Sequence, residues 1–256
     1  MPQSYISTYT NDDIFVRDFS LIHDLIGKVT FTEMTWIQMF GRRPTAGETQ
    51  VLDAVLVTLM EHGFTPSAII SRLTAMSSPE ALQASVAAGL LAVGSTFVGT
   101  TEDAALVLAQ MIAAPEGVEA AALAFARTCR SERRPLPGFG HHLHKPDDPR
   151  AQRVMDVAQT AGTAGPHQAA IQVLSRQVDV VYGRHITINA TGAIAAVLCD
   201  IGVPPRIMRG FSIISRCSGL VGHILEEQTL PTAREIWDQA LQSVEYMGDK
   251  GHKATV

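Results

Sequence analysis

Apolar positions along this chain recur mostly at helical spacing. Thr45 and Glu48 form a capping-box pair, after which Val51, Leu52, Val55, Leu56, Leu59 and Met60 fall on one helical face. Thr65-Pro66, Ser78-Pro79 and Asp148-Pro149 each place a cap residue before a proline suited to the first helical turn. Residues 69–76, 80–93, 102–113, 117–127, 150–160, 168–181 and 207–227 read as further helices. Only residues 5–19 hint at strands, as one short hairpin. The longest apolar stretch, 84–98, is built mostly from Ala, Gly, Ser and Val. It is too short and too weakly apolar for a membrane span and predicts a buried core helix. No repeat and no low-complexity linker interrupts this pattern. The expected fold class is mainly α.

Composition narrows the picture. With 256 residues, one large or two modest domains can each bury a core. A net charge of −5 and no long Lys/Arg run exclude nucleic acid as the main partner. The polar residues 1–13 lack an apolar core segment, which predicts no secretory signal. Cys129, Cys199 and Cys217 are odd in number and lack metal-ligand spacing, so they read as reduced thiols of a cytoplasmic protein.

The candidate chemistry lies in the loops. Residues 131–148 form the longest break, and a break of this length in a helical protein is more often functional than idle. It carries Pro135, Pro137, Gly138, Gly140 and Pro146, with His141, His142 and His144 between them. Arg130, Arg133, Arg134 and Lys145 flank it and suit an anionic ligand. Two glycines let backbone pass close to a ligand, and an arginine in the first turn after Asp-Pro can grip a carboxylate bidentately. The three histidines lack the spacing of a usual zinc site, and no metal is expected.

The run Pro137-Gly138-Phe139-Gly140-His141-His142-Leu143-His144-Lys145, followed by Asp148-Pro149-Arg150, resembles the signature loop of citrate synthases and citryl-CoA lyases. Glu61-His62-Gly63 is similar to the family's D-H-G/E site. Ile188-Asn189, Gly192 to Leu198 and Gly202-Val203-Pro204 resemble the short lyase-type members. Arg209-Gly210-Phe211 through Arg216, then Gly219 to His223, resembles the helix that supplies a second carboxylate-binding arginine. The likeness covers nearly the whole chain and implies a citrate synthase-like two-domain helical fold. In it a large domain takes residues 1–99 and 210–256, a small domain takes 100–209, and the active site lies in the cleft between them. A homodimer is implied as well.

The resemblance also assigns roles. His141 is the catalytic histidine serving the keto or hydroxyl oxygen. His62, Arg150 and Arg216 grip a dicarboxylate or keto acid. Gly138, Phe139, Gly140 and Lys145 adjoin coenzyme A, although Lys145 reads equally well as a solvated charge. Two catalytic positions are replaced. Phe97 stands where the enol-stabilising histidine belongs, and Thr191 where the aspartate belongs. Phenylalanine donates no hydrogen bond to an oxyanion, and threonine is no carboxylate base. His223, in an apolar helix, reads as a satisfied core residue, and His23, His167, His185 and His252 as surface or capping residues.

The expected function is a CoA-thioester C–C lyase or synthase of the citryl-CoA lyase type, with a non-standard acyl substrate or mechanism. The other reading is a catalytically inactive CoA- or dicarboxylate-binding homologue. Acyl-CoA and a dicarboxylate or keto acid are the expected partners, with no nucleic acid and no membrane.

Overall fold

A computed structural model describes residues 2–94 and 99–248. The chain divides into two compact units, Met1–Thr58 with Val98–Phe211, and Leu59–Phe97 with Ser212–Val256. No helix among the described residues is long and apolar enough to cross a membrane.

The first unit opens on a small antiparallel sheet, β1 (Ser7–Tyr9), β2 (Ile14–Val16) and β3 (Phe19–Ser20), in the order β1-β2-β3. The expected hairpin is present and gains a third strand. Val16 of this sheet packs with Leu25 and Ile37 into a local apolar cluster. Helix α1 (Phe31–Phe40) starts on a reciprocal capping box of Thr30 and Glu33. Helix α2 (Ala46–Met60) starts on the predicted one. The Glu48 amide donates to Thr45 Oγ1 at 3.2 Å, and the Thr45 amide donates to Glu48 Oε2 at 2.7 Å.

The rest of this unit is a group of helices around α9 (Ala190–Asp200). Helices α5 (Thr100–Ala113), α7 (Pro149–Thr160) and α8 (Pro166–Tyr182) all pack on α9, and α6 (Val118–Ser131) packs on α8. Residues Ala193 to Leu198 of α9 are buried on every side. A helix surrounded in this way needs small and branched apolar residues all round, and so it carries no polar face for periodicity to reveal. Asp200, at its end, accepts the amides of Gly165, His167 and Gln168 and so caps α8.

The second unit is built from α3 (Pro66–Ser77), α4 (Leu82–Leu91), most of α10 (Met208–Thr229) and α11 (Ala233–Ser243). Arg72 of α3 is buried and spreads its guanidinium over three partners of α10 and one before α11. Nε donates to His223 Nδ1 at 2.9 Å, Nη1 to Glu227 Oε2 at 2.8 Å and to Thr232 Oγ1 at 3.1 Å, and Nη2 to Glu226. Glu227 also accepts the amides of Thr232 and Ala233, so one carboxylate caps α11 and neutralises Arg72.

Two expectations fail here. Ser78-Pro79 does not open a helix: Ser78 closes α3 by donating its amide to Thr74, and α4 begins only after Ala81. Nor is the apolar stretch from residue 84 a buried helix as far as it is described. Only Ser85 and Gly89 of α4 are buried, and Leu91 is 87% exposed, because α4 covers α3 with one side alone. Gly89 marks that contact, since a Cβ there would lie 2.8 Å from the Ser67 carbonyl oxygen.

Candidate functional site

In the first unit, the signature loop is welded to the start of α9. Gly138 has φ +81°, and a Cβ on it would lie 2.7 Å from Gly192 Cα. Both glycines are needed for backbone to touch backbone at this point. Around that contact the Asn189 amide donates to Gly138 O at 3.0 Å, the Gly140 amide to Thr187 O at 2.8 Å, and Asn189 Nδ2 to Gly140 O at 3.0 Å. Phe139 forms an isolated bridge with Ile188 and is buried beneath the loop.

Asp148 joins three parts of the site. Its carboxylate caps α7 through the Arg150 amide, accepts the first amide of α9 (Ala190) at 3.1 Å, and pairs bidentately with Arg150 through Nε (3.0 Å) and Nη2 (2.8 Å). Burial works against this charge, but the Arg150 bonds outweigh it and hold the carboxyl below the usual range. The fork of Arg150 is thus taken by its own cap residue, leaving Nη1 as the nitrogen that Asp148 does not engage.

His141 is oriented by its backbone. Its Nδ1 accepts the amides of Leu143 (3.1 Å) and His144 (3.0 Å), which places the ring proton on Nε2. Arg150 Nη2 lies 3.2 Å from that Nε2, and the rings of His142 and His144 stack on His141 at 4.7 and 4.4 Å. Burial, then the Arg150 charge, push the imidazole below its ordinary value and favour the neutral form. Lys145 is exposed. A cavity of about 400 Å³ borders the loop, lined in part by Leu106, Phe125, Arg134, Pro135 and Pro137.

Thr191 lies in the first turn of α9. Its hydroxyl donates to Asn189 Oδ1 at 2.7 Å and accepts from the Thr100 hydroxyl at 3.1 Å. Its proton is therefore committed within the helix cap, and no carboxylate stands at this position. Phe97 lies outside the described residues, as does His252. Sequence reading missed Asp148 and Asn189 as organisers of the site. Asp148-Pro149 was read as a cap and Ile188-Asn189 only as part of the resemblance.

In the second unit, Arg216 on α10 is largely buried. Its Nη1 has no hydrogen-bond partner among the described residues and lies 3.9 Å from Glu61 Oε1. Burial lowers the pKa of this guanidinium and Glu61 opposes the shift. Glu61 accepts the amides of His62 (2.8 Å) and Gly63 (2.7 Å) and faces His223 Nε2 at 3.1 Å. Burial would raise the Glu61 carboxyl, but these bonds hold it below the usual range. His223, bonded to both Arg72 and Glu61, is the satisfied histidine the sequence predicted. The three cysteines are free, and burial pushes the Cys199 thiol up to about 12, which makes it inert as a nucleophile.

Residues 14–237 match the family profile of the citrate synthase C-terminal domain, and the chain belongs to that family. It is similar over 100% of its length to the citryl-CoA lyase of Hydrogenobacter thermophilus, at 31% identity and a TM-score of 0.88, covering 98% of that chain. It is also 24% identical over 264 residues to a probable ATP-citrate synthase subunit 1 of Schizosaccharomyces pombe. That match takes 94% of this chain but spans only 42% of the relative's length. The ATP citrate lyase of Methanothrix soehngenii, solved with citrate and coenzyme A, shares the fold at a TM-score of 0.79 and 19% identity. The match covers 99% of this chain and 43% of that one.

Proposed function

We propose that this chain is a CoA-thioester C–C lyase or synthase of the citryl-CoA lyase type, acting on an acyl group other than acetyl or by an altered route. The observation that carries this reading is His141. Its Nδ1 accepts two backbone amides, its Nε2 lies 3.2 Å from Arg150 Nη2, and burial and the Arg150 charge favour its neutral form. A ring in this setting tolerates electron density. In the joining direction Nε2–H donates to the keto oxygen as that oxygen gains charge. In cleavage the same Nε2–H donates to the hydroxyl oxygen and holds the alkoxide charge once the hydroxyl proton has left to water, as the C–C bond breaks.

By the resemblance, Arg150, Arg216 and His62 are the carboxylate-binding groups, and Nη1 is the Arg150 nitrogen that Asp148 does not engage. The unspent donor on Arg216 supports an anionic ligand. The Gly138–Gly140 backbone and Lys145 adjoin coenzyme A. The unit of function is a homodimer, with the large and small domains divided near residues 99 and 209.

A second reading rests on Thr191. With its proton given to Asn189 and no carboxylate in its place, proton transfer at the acyl carbon lacks its usual base. This favours a homologue that binds coenzyme A or a dicarboxylate without turnover. A cleavage assay following thioester loss separates the two, using citryl-CoA and analogues with larger acyl groups. Turnover abolished by His141→Ala supports the lyase. Coenzyme A binding without turnover of any substrate supports the binder, and absence of both sinks both readings.

A further inference from the structure

The segment between α8 and α9 returns along the signature loop, and His185 sits at its start. Its Nδ1 lies 2.7 Å from Asp179 Oδ2, near the end of α8. Its Nε2 lies 3.0 Å from Asp147 Oδ1, in the loop. Carboxylates only accept, and a neutral imidazole carries a single N–H, so both bonds form together only when the ring is an imidazolium. The other Asp179 oxygen accepts the Ile186 amide at 2.9 Å, which ties the same segment to α8. Asp147 directly precedes Asp148, whose amide donates to Thr187 Oγ1 at 3.0 Å. His185 therefore bridges the end of the loop and the helix behind it.

We propose that His185 is a positioning residue: as an imidazolium it fastens Asp147 to Asp179, and so holds the Asp148–Arg150 pair and the end of the signature loop in place. The clamp needs no assumption about the reaction. Its effect on substrate rests on the function proposed above, in which Arg150 binds a carboxylate.

The charged groups facing the ring are Asp179 from α8 and Asp147 from the loop. Bonds to Asp179, then Asp147, hold the imidazole above the ordinary histidine value. The sign follows from that direction. The clamp is complete below the unfolded-state value of about 6.5 and opens as pH rises through the raised value of the folded protein. His185 is 42% exposed and Asp147 73%, so the clamp places the loop rather than adding much to global stability.

Imidazole nitrogen NMR of the whole chain, with amide exchange at Asp148 and Ala190, tests this. His185 is expected to titrate above the ordinary histidine value, and Asp147→Asn and Asp179→Asn each lower its midpoint. Protection of the two amides falls several-fold across that midpoint. His185→Ala loses the protection at every pH, whereas His185→Arg, a fixed cation, keeps it without the pH step. A ring titrating at or below the ordinary value, or wild-type protection in His185→Ala, overturns the clamp. Calorimetry with citrate is the second arm. A several-fold loss of affinity above the midpoint, absent in His185→Arg, supports positioning of Arg150. Citrate binding with no such step, while the ring titrates as expected, overturns it. No citrate binding at any pH, with the exchange step intact, supports the clamp and counts against the function proposed above.

Discussion

At the scale of single residues, the proposed function turns on position 191, which the resemblance gives to a carboxylate and which here is Thr191. Its hydroxyl spends its proton on Asn189 and takes one from Thr100, so the vacated role becomes part of a helix cap. This makes repair a specific test. Phe97→His with Thr191→Asp should restore thioester cleavage or condensation, and neither change alone should do much. Groups that serve one enolisation are strongly non-additive. A carboxylate introduced at position 191 meets Asn189 Oδ1, an acceptor, but the first turn of α9 favours a negative charge there. Rescue is therefore expected to be partial. Thioester loss in the double variant, in both singles and with His141→Ala added is the measurement. Rescue that survives removal of His141 counts against the role given to that ring.

At the scale of elements, helix starts do most of the organising. Asp148 caps α7, meets the first amide of α9 and neutralises Arg150, all from a buried position. Asp148→Ala should destabilise the protein by on the order of 3 kcal/mol, because Arg150 loses its partner and two helix ends lose an acceptor. The Asp148 pKa is depressed, so its contribution is full above the unfolded carboxylate value of about 3.9 and is lost as pH falls toward the lower folded value. Urea unfolding at neutral pH and below pH 4 checks both points, and the gap between wild type and variant should narrow in acid. The same helix starts set what could be read in advance. Thr45…Glu48 and Asp148-Pro149 announced α2 and α7 because the cap chemistry is local. Ser78-Pro79 misled because the same dipeptide also suits the exit of α3. Thr30…Glu33 carried the same signal as Thr45…Glu48 and went unread, with no long apolar run behind it. Helix α9 was legible only through resemblance, since a helix buried all round has no polar face. Within the site, His141 and Arg150 stood out by motif. The pairing of Arg150 with its own cap depends on a side-chain rotamer that no spacing shows.

At the scale of the molecule, the proposed function makes two expectations. Coenzyme A should bind with micromolar to millimolar affinity. Lys145→Ala should weaken it more at low salt than at high salt, because an exposed phosphate contact is screened by ions. Calorimetry at two ionic strengths reads this, and no heat with any acyl-CoA counts against the loop as a CoA site. Turnover of acetyl-CoA with oxaloacetate should be absent or very slow. A kcat in the ordinary range of about 1–10³ s⁻¹ would show that Phe97 and Thr191 cost less than their chemistry implies.

The touching backbones of Gly138 and Gly192 bear on how such a protein drifts over generations. Neither position can accept a methyl group unless the loop leaves the helix, so the pair is guarded by shape and not by reaction. His141 is held differently, by hydrogen bonds from two loop amides and not by touching backbones. A random library of this chain sorted only for soluble, folded product should keep both glycines while letting His141 vary more, at the cost of two loop hydrogen bonds. The same library sorted for growth that depends on the activity should keep all three. A natural lineage that has abandoned chemistry would carry the first pattern, so variation at His141 beside two constant glycines would mark the passage from enzyme to binder.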